Sequence, residues 1–429
     1  MPRSLPRLPP RAAYALVAAI IGFALFASVT PTPLYDVYRQ EWGFSAFTLT
    51  AVFAVYAVCV LVSLLLLGRI SDDAGRRPVL AGSLVVLLVA TGLFLAATSV
   101  EWLFAARALQ GLATGVAMGS AGAALLDLHP RHDGDAAGLT NGVVSAVGMG
   151  TGALVSAALL ELAPSPLHLP FVVVAIGFAV LLAGTLCMPE PVRERRRPSL
   201  RPQWPHVPHE IRGAFALAGL GVLAAWSIGG LYMSLGPRLA ADVMGTDNQL
   251  VAGGLSLLGL TTPGAVTQFL FRDAAPWRLT AVGSLVMGIG VAALTVSLST
   301  GSAALYLGAS FVSGAGWGCA FLGSLRSLTT VIPEDHRAEV MSAFYVVAYA
   351  SLSVPALLAG LAVTQWGLLD AARGFSAVVV LLTLIVAVGA TMRRGAPTSA
   401  GRPPRARPPP SQRPRSCRAR PSTRSSQSR

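Results

Sequence analysis

The stretch Gly68-Arg69-Ile70-Ser71-Asp72-Asp73-Ala74-Gly75-Arg76-Arg77-Pro78-Val79-Leu80 separates two apolar runs, near 47–67 and 79–98, with only a few residues to turn between them. Each part has a physical reason to be there. Gly68 has no side chain to hold two helices apart, and Gly75 can take the backbone angles of a tight turn. Asp72 sets an acid at the edge of an apolar layer, where an uncompensated charge is costly. Arg76 and Arg77 stand where basic residues concentrate beside the cytoplasmic face of a membrane. The stretch reads as a short charged hairpin between two antiparallel membrane helices.

The remainder of the chain agrees with that reading. Of its 429 residues 54% are hydrophobic and 12% charged, about half the charged share of a soluble chain, and the mean hydropathy is +0.64. A set of soluble domains is excluded. Apolar runs recur near 12–31, 47–67, 79–98, 102–126, 138–161 and 168–188, and again near 213–235, 249–271, 278–298, 302–330, 338–364 and 374–391. Each approaches the roughly 20 residues that cross a bilayer. The run after Arg3, Arg7 and Arg11 is expected to be a retained first span rather than a cleaved leader, because so many similar runs follow it.

The expected architecture is therefore an all-α integral membrane protein with 12 transmembrane helices in two six-helix bundles. One bundle covers 1–188 and the other 213–392, joined by a cytoplasmic linker at 189–212 that is rich in Arg and Pro. Residues 393–429 hold eleven Arg and no acid and read as a disordered cytoplasmic tail, either an extension without function or a segment that touches anionic lipid. There is no Lys, so Arg alone sets orientation. Sixteen Arg fall in the N-terminus and the loops on its side, against three, Arg39, Arg238 and Arg373, in the opposite loops. Both termini are thus expected in the cytoplasm. The net charge of +13 belongs mostly to the tail, so a nucleic-acid partner is not expected. Cys59, Cys187, Cys319 and Cys417 form no Cys-x-x-Cys pair, and the six His are scattered, so neither a metal site nor an enzyme is expected.

The fourth span reads Arg107-Ala-Leu-Gln110-Gly111-Leu-Ala-Thr-Gly115-Val-Ala-Met-Gly119. Glycines four apart share one face and let helix backbones approach closely. Gly314 and Gly318 repeat the spacing in span ten. Arg107 lies about two turns inside its helix, roughly 9 Å at 1.5 Å per residue, where a guanidinium either faces the bundle interior or snorkels outward.

On these residues the chain resembles the major facilitator superfamily. That family's loop between spans two and three is Gly-x-Leu-Ala-Asp-Arg-x-Gly-Arg-Lys-x-x-Leu, matched here by Gly68, Asp72, Gly75, Arg76, Arg77 (for Lys) and Leu80; Asp73 departs from it. Arg107, Gln110, Gly111 and Gly115 are similar to its fourth-helix motif. Phe271–Arg278, between spans eight and nine, is only a degenerate second copy of the loop. The family's drug–proton antiporters carry a Gly-Pro pair in span five; Gly148, Gly150 and Gly152 stand here without that proline.

The resemblance implies a secondary transporter of the cell membrane working by alternating access, with Asp72 as a conformational latch and Arg107 in the charge machinery. It implies that spans one, four, seven and ten line the pathway, which makes Trp226, Tyr232 and Trp317 candidate lining residues, with Tyr56 and Tyr349 on the neighbouring spans two and eleven. Tyr35 and Asp36 read as outer-interface residues, and Asp127 as a solvated or capping acid. An aromatic pathway with one cation suits amphiphilic or anionic molecules better than sugars. The expected activity is proton-coupled export of small amphiphilic compounds by a monomer that needs no cofactor beyond the gradient, with a small-molecule substrate and membrane lipid as its partners. Uptake of a small organic acid is the alternative. A channel or a transport-inactive sensor is the alternative of another class.

Overall fold

The computed structural model describes residues 8–68, 70–192, 205–246, 248, 250–333 and 336–395. The middle of the linker, 193–204, and the tail from 396 onward lie outside the described residues. The secondary structure of those described is helical, without a strand. Eleven of the helices are long and apolar enough to cross a membrane.

In the first half they are α1 (Pro10–Val29), α3 (Ala46–Leu67), α5 (Arg76–Leu95), α6 (Val100–Leu128), α7 (Gly134–Leu162) and α8 (Leu169–Leu186). Between them lie two short helices, α2 (Tyr35–Trp42) and α4 (Ile70–Ala74). The second half holds α9 (Arg212–Ser234), the short α10 (Gly236–Met244), α11 (Ser256–Leu270), α12 (Pro276–Thr300), α13 (Ala303–Thr329), α14 (Arg337–Trp366) and α15 (Leu368–Met392).

Local chemistry sets many of the ends. Ser45 caps α3 by accepting from Thr48 N at 3.1 Å, and Ser302 caps α13 by accepting from Leu305 N at 3.3 Å. The sides of the helices that face away from their neighbours carry Val85, Val89, Ile176, Val180, Ile289, Val378 and Leu381, an outer surface suited to lipid.

Span eight differs from the continuous run expected over 249–271. Its first residues, Leu250–Leu255, form a π turn, and only Ser256–Leu270 is α-helical. The wider turn falls on the paired Gly253 and Gly254. A Cβ on Gly253 would lie 3.4 Å from Pro237 and 3.7 Å from Pro33, and one on Gly254 would lie 3.2 Å from Ala157. The backbone is pressed among three neighbouring segments there.

Within the first half, α6 packs on α3 and α5, and α1 packs on α7 and α6. Within the second, α13 packs on α12 and α11, and α9 on α14. The halves meet where α3 lies on α14 and α7 on α11.

Candidate functional site

The end of α1 creates the demand that Arg107 meets. Pro31 has no N–H, so the carbonyl of Ala27 loses its helical donor. Thr32 N turns to Val29 O at 2.9 Å, which leaves the Ser28 carbonyl free as well. Arg107 Nη1 donates to Ser28 O at 2.7 Å and Gln110 Nε2 donates to Ala27 O at 3.1 Å. Arg107 Nη1 also donates to Gln110 Oε1 at 2.7 Å. A cation thus caps the negative end of a helix dipole.

Arg107 is fully buried, at 0% exposure. Its Nε donates to the Tyr35 hydroxyl, and its guanidinium lies 5.3 Å from the ring centre of Tyr35, 5.4 Å from Tyr56 and 5.7 Å from Phe94. Such faces attract a cation, and a guanidinium tolerates them better than an ammonium does because it is less strongly hydrated. Among the described residues no carboxylate pairs with it, and its Nη2 has no hydrogen-bond partner. The side chain faces inward and does not snorkel. Tyr35 corrects the sequence reading: it is 1% exposed, turned into the protein by the proline-bearing bend. Burial raises its hydroxyl pKa, against a smaller lowering by Arg107, so the phenol stays neutral.

Gly111 and Gly115 bring α6 onto α3. A Cβ at Gly111 would lie 2.4 Å from Tyr56 O, and one at Gly115 2.7 Å from Val60 O. This contact sets Tyr56 beside Arg107.

The charged hairpin lies at the other end of α6. Gly68 ends α3, and Gly75 has φ +103, a conformation that favours glycine. Arg76, 9% exposed, donates through Nη1 to Asp72 and to Ser71 Oγ at 2.7 Å. Its Nε meets Asp127 Oδ2 at 3.0 Å. Asp127 is therefore an ion-pair partner, which corrects its reading as a solvated or capping acid: the end of α6 closes against the loop. Glu190, not singled out by the sequence reading, accepts from the backbone N–H of Arg76 at 2.9 Å and of Arg77 at 3.2 Å. It supplies an acid to the N-terminus of α5, where carboxylates are favoured. Its signal was a single acid between Pro189 and Pro191 at the end of a span. Arg77 is half-buried.

The aromatic candidates separate. Trp226 on α9 meets Tyr349 on α14 edge-on at 5.2 Å and Phe321 on α13 at 6.0 Å. Phe321 stacks with Trp317 at 6.5 Å. Tyr56, Tyr349 and Trp226 share one packing cluster with Phe53 and Leu352, across the contact between the halves. Tyr232 stands apart from this group. It is 2% exposed in the core of the second half, its hydroxyl 2.7 Å from Ser310 Oγ. Phe53, Phe94 and Phe321 are aromatic residues of these groups that stand in no motif and carry no local signal.

The sequence profile described as Major Facilitator Superfamily matches residues 14–356. The chain belongs to that superfamily. As a member it is a multi-pass membrane transporter. It is 24% identical over 343 residues to the multidrug resistance protein MdtL of Citrobacter koseri, covering 78% of this chain and 82% of that one. It is 32% identical over 183 residues to the class C tetracycline resistance protein of Escherichia coli, covering 42% and 44%. Its fold is shared with a POT family transporter crystallised with 5-aminolevulinic acid, at a TM-score of 0.71 and 14% identity over 91% of this chain and 99% of that one. It is shared also with the human organic anion transporter MFSD10, at a TM-score of 0.62 and 16% identity over 89% and 100%.

Proposed function

We propose that the protein exports small amphiphilic compounds in exchange for protons, by alternating access. Two six-helix bundles, 1–188 and 213–392, rock about a pathway between them. In this reading α11 with its π turn is the eighth of twelve spans, both termini are cytoplasmic, and the monomer is the working unit. The curated relatives named for multidrug and tetracycline resistance support export. The observation that carries the reading is Arg107. A buried, carboxylate-free guanidinium with one unpaired nitrogen, packed against Tyr56, which itself joins Tyr349 of the other half, links a charge to the contact that must open. The Asp72–Arg76–Asp127 cluster serves as the latch that stabilises one arrangement of the first bundle.

The test is growth of an efflux-deficient bacterial host expressing the chain, on a panel of toxic amphiphiles. Resistance that vanishes with a protonophore and with Arg107→Ala is the expected result. Full resistance in both conditions contradicts the reading. Uptake of a small organic acid is the second reading, favoured by the unpaired Arg107 Nη2, which could receive a carboxylate.

A further inference from the structure

The chain of side chains that begins at Arg107 runs on through both halves. Arg107 lies over Tyr56 at 5.4 Å. Tyr56 shares its cluster with Tyr349 and Trp226. Trp226 reaches Phe321 at 6.0 Å, and Phe321 reaches Trp317 at 6.5 Å. Trp226 is packed against three separate clusters of the protein, so it sits where several helices converge. The six-membered ring of Trp317 lies over Gly264 of α11, where a Cβ would come within 2.6 Å of it.

The line carries three buried groups that can only donate, and no carboxylate answers them. Trp226 Nε1, Trp317 Nε1 and Arg107 Nη2 are all buried and without a hydrogen-bond partner. Each is a donor that cannot accept. Buried donors are almost always paired, because an unpaired one keeps the cost of its lost hydration. Three such nitrogens along one aromatic line are donors held ready for an acceptor. No carboxylate balances them: α3, α9 and α13 contain no Asp or Glu, α14 has its one acid, Glu339, in its first turn, and α6 has its two near its ends.

We propose that Trp226 and Trp317 recognise the substrate through their indole N–H groups, and that the substrate is an aromatic molecule bearing a carbonyl, carboxylate or phenolate acceptor, neutral or anionic. This names the substrate class of the pathway above and rests on that reading. The rings supply apolar contact and stacking; the N–H groups select for acceptors. An organic cation of the same shape gains ring contact but meets donors, a buried guanidinium and no carboxylate.

The experiment uses purified full-length protein in detergent and three probes of one ring system: 2-naphthoate, 2-acetylnaphthalene and trimethyl(2-naphthylmethyl)ammonium. Equilibrium affinities come from calorimetric titration. The anion and the ketone are expected to bind at least about tenfold more tightly than the cation, the size of one hydrogen bond to a strong acceptor. Trp317→Phe and Trp226→Phe keep a ring and remove the N–H. Each is expected to lower affinity for the two acceptor probes by about tenfold and to leave the cation within about twofold. The wild-type ranking needs no variant, so a variant that fails to fold does not shield the proposal. Equal or tighter binding of the cation overturns it. So does unchanged affinity for naphthoate and the ketone in both variants, or the absence of binding by any probe. Binding in detergent is independent of transport. Acceptor-selective binding without export overturns the exporter reading alone, whereas gradient-driven export that favours cations overturns only the substrate class.

Discussion

The fourth spans of the two halves invite comparison position by position. Arg107, Gly111 and Gly115 of α6 correspond at one constant spacing to Ser310, Gly314 and Gly318 of α13. The glycines do the same work in both. Gly111 and Gly115 press on Tyr56 and Val60 carbonyls; Gly314 and Gly318 press on those of Leu260 and Gly264, at 2.1 and 2.2 Å from the position a Cβ would take. The third position differs. In the first half it is a buried cation ringed by aromatics. In the second it is Ser310, hydrogen-bonded to Tyr232. The loops differ in the same sense. Arg76 pairs with two carboxylates, whereas Arg326 of α13 donates to the carbonyls of Arg272 and Ala274. The packing device is common to both halves; among the described residues the buried fourth-span cation and the ion pair that ties the loop to that span occur in the first, while the ion pairs of the second half join residues no more than three apart in sequence. Close helix contact needs only small residues at a fixed spacing; a buried charge needs a whole set of partners.

Breaking the shared part should have the largest effect. Gly111→Leu and Gly314→Leu each place a side chain into a facing backbone, and each is expected to cost at least about 3 kcal/mol, read as loss of monodisperse protein on size exclusion. A normal thermal midpoint for either would show that the close contact can relax. Next is Arg107. Arg107→Ala leaves the Ser28 carbonyl without its donor and removes the cation from its cage. Transport is expected to fall on the order of a hundredfold, while Ser310→Ala, its counterpart, keeps most of the rate. Similar losses in both would erase the asymmetry. Arg107→Lys should fail nearly as badly as alanine, since one ammonium cannot reproduce the planar fork.

The Asp72–Arg76–Asp127 cluster sharpens the comparison further. Asp127→Asn is expected to slow transport about tenfold, and Asp72→Asn by less. The Asp127 side chain is 34% exposed and that of Asp72 51%, and solvent screens the more exposed pair. Equal effects on the rate in reconstituted vesicles would contradict that ordering. The smallest effect should come from Gly82→Ala, where nothing lies within 4 Å of the new Cβ. It should raise stability by about 0.5–1 kcal/mol through helix propensity, seen as a small rise in Tm.

What could be read in the sequence was what is local. The apolar runs, the charged hairpin and the glycine spacing each lie within a few turns of chain, and the helices follow them, with span eight's start the exception at Gly253–Gly254. What could not be read were partners distant in sequence. Glu190 lies 114 residues from the N–H of Arg76, and Tyr35 is 72 from Arg107. Tyr35 reads as an interface residue because nothing local shows that the bend at Pro31 and Pro33 turns it inward. Tyr232 and Trp226 lie on one helix, six residues apart; only the packing of α13 and α14 separates a core phenol from an indole at the contact between the halves.

The most direct test of the account is accumulation of an amphiphilic aromatic compound in everted membrane vesicles under an imposed proton gradient, comparing the wild-type chain with Arg107→Ala. The account predicts uphill accumulation by the wild type that collapses with a protonophore and is absent in the variant despite equal insertion. Accumulation by Arg107→Ala at the wild-type rate, or by the wild type without a gradient, would contradict it.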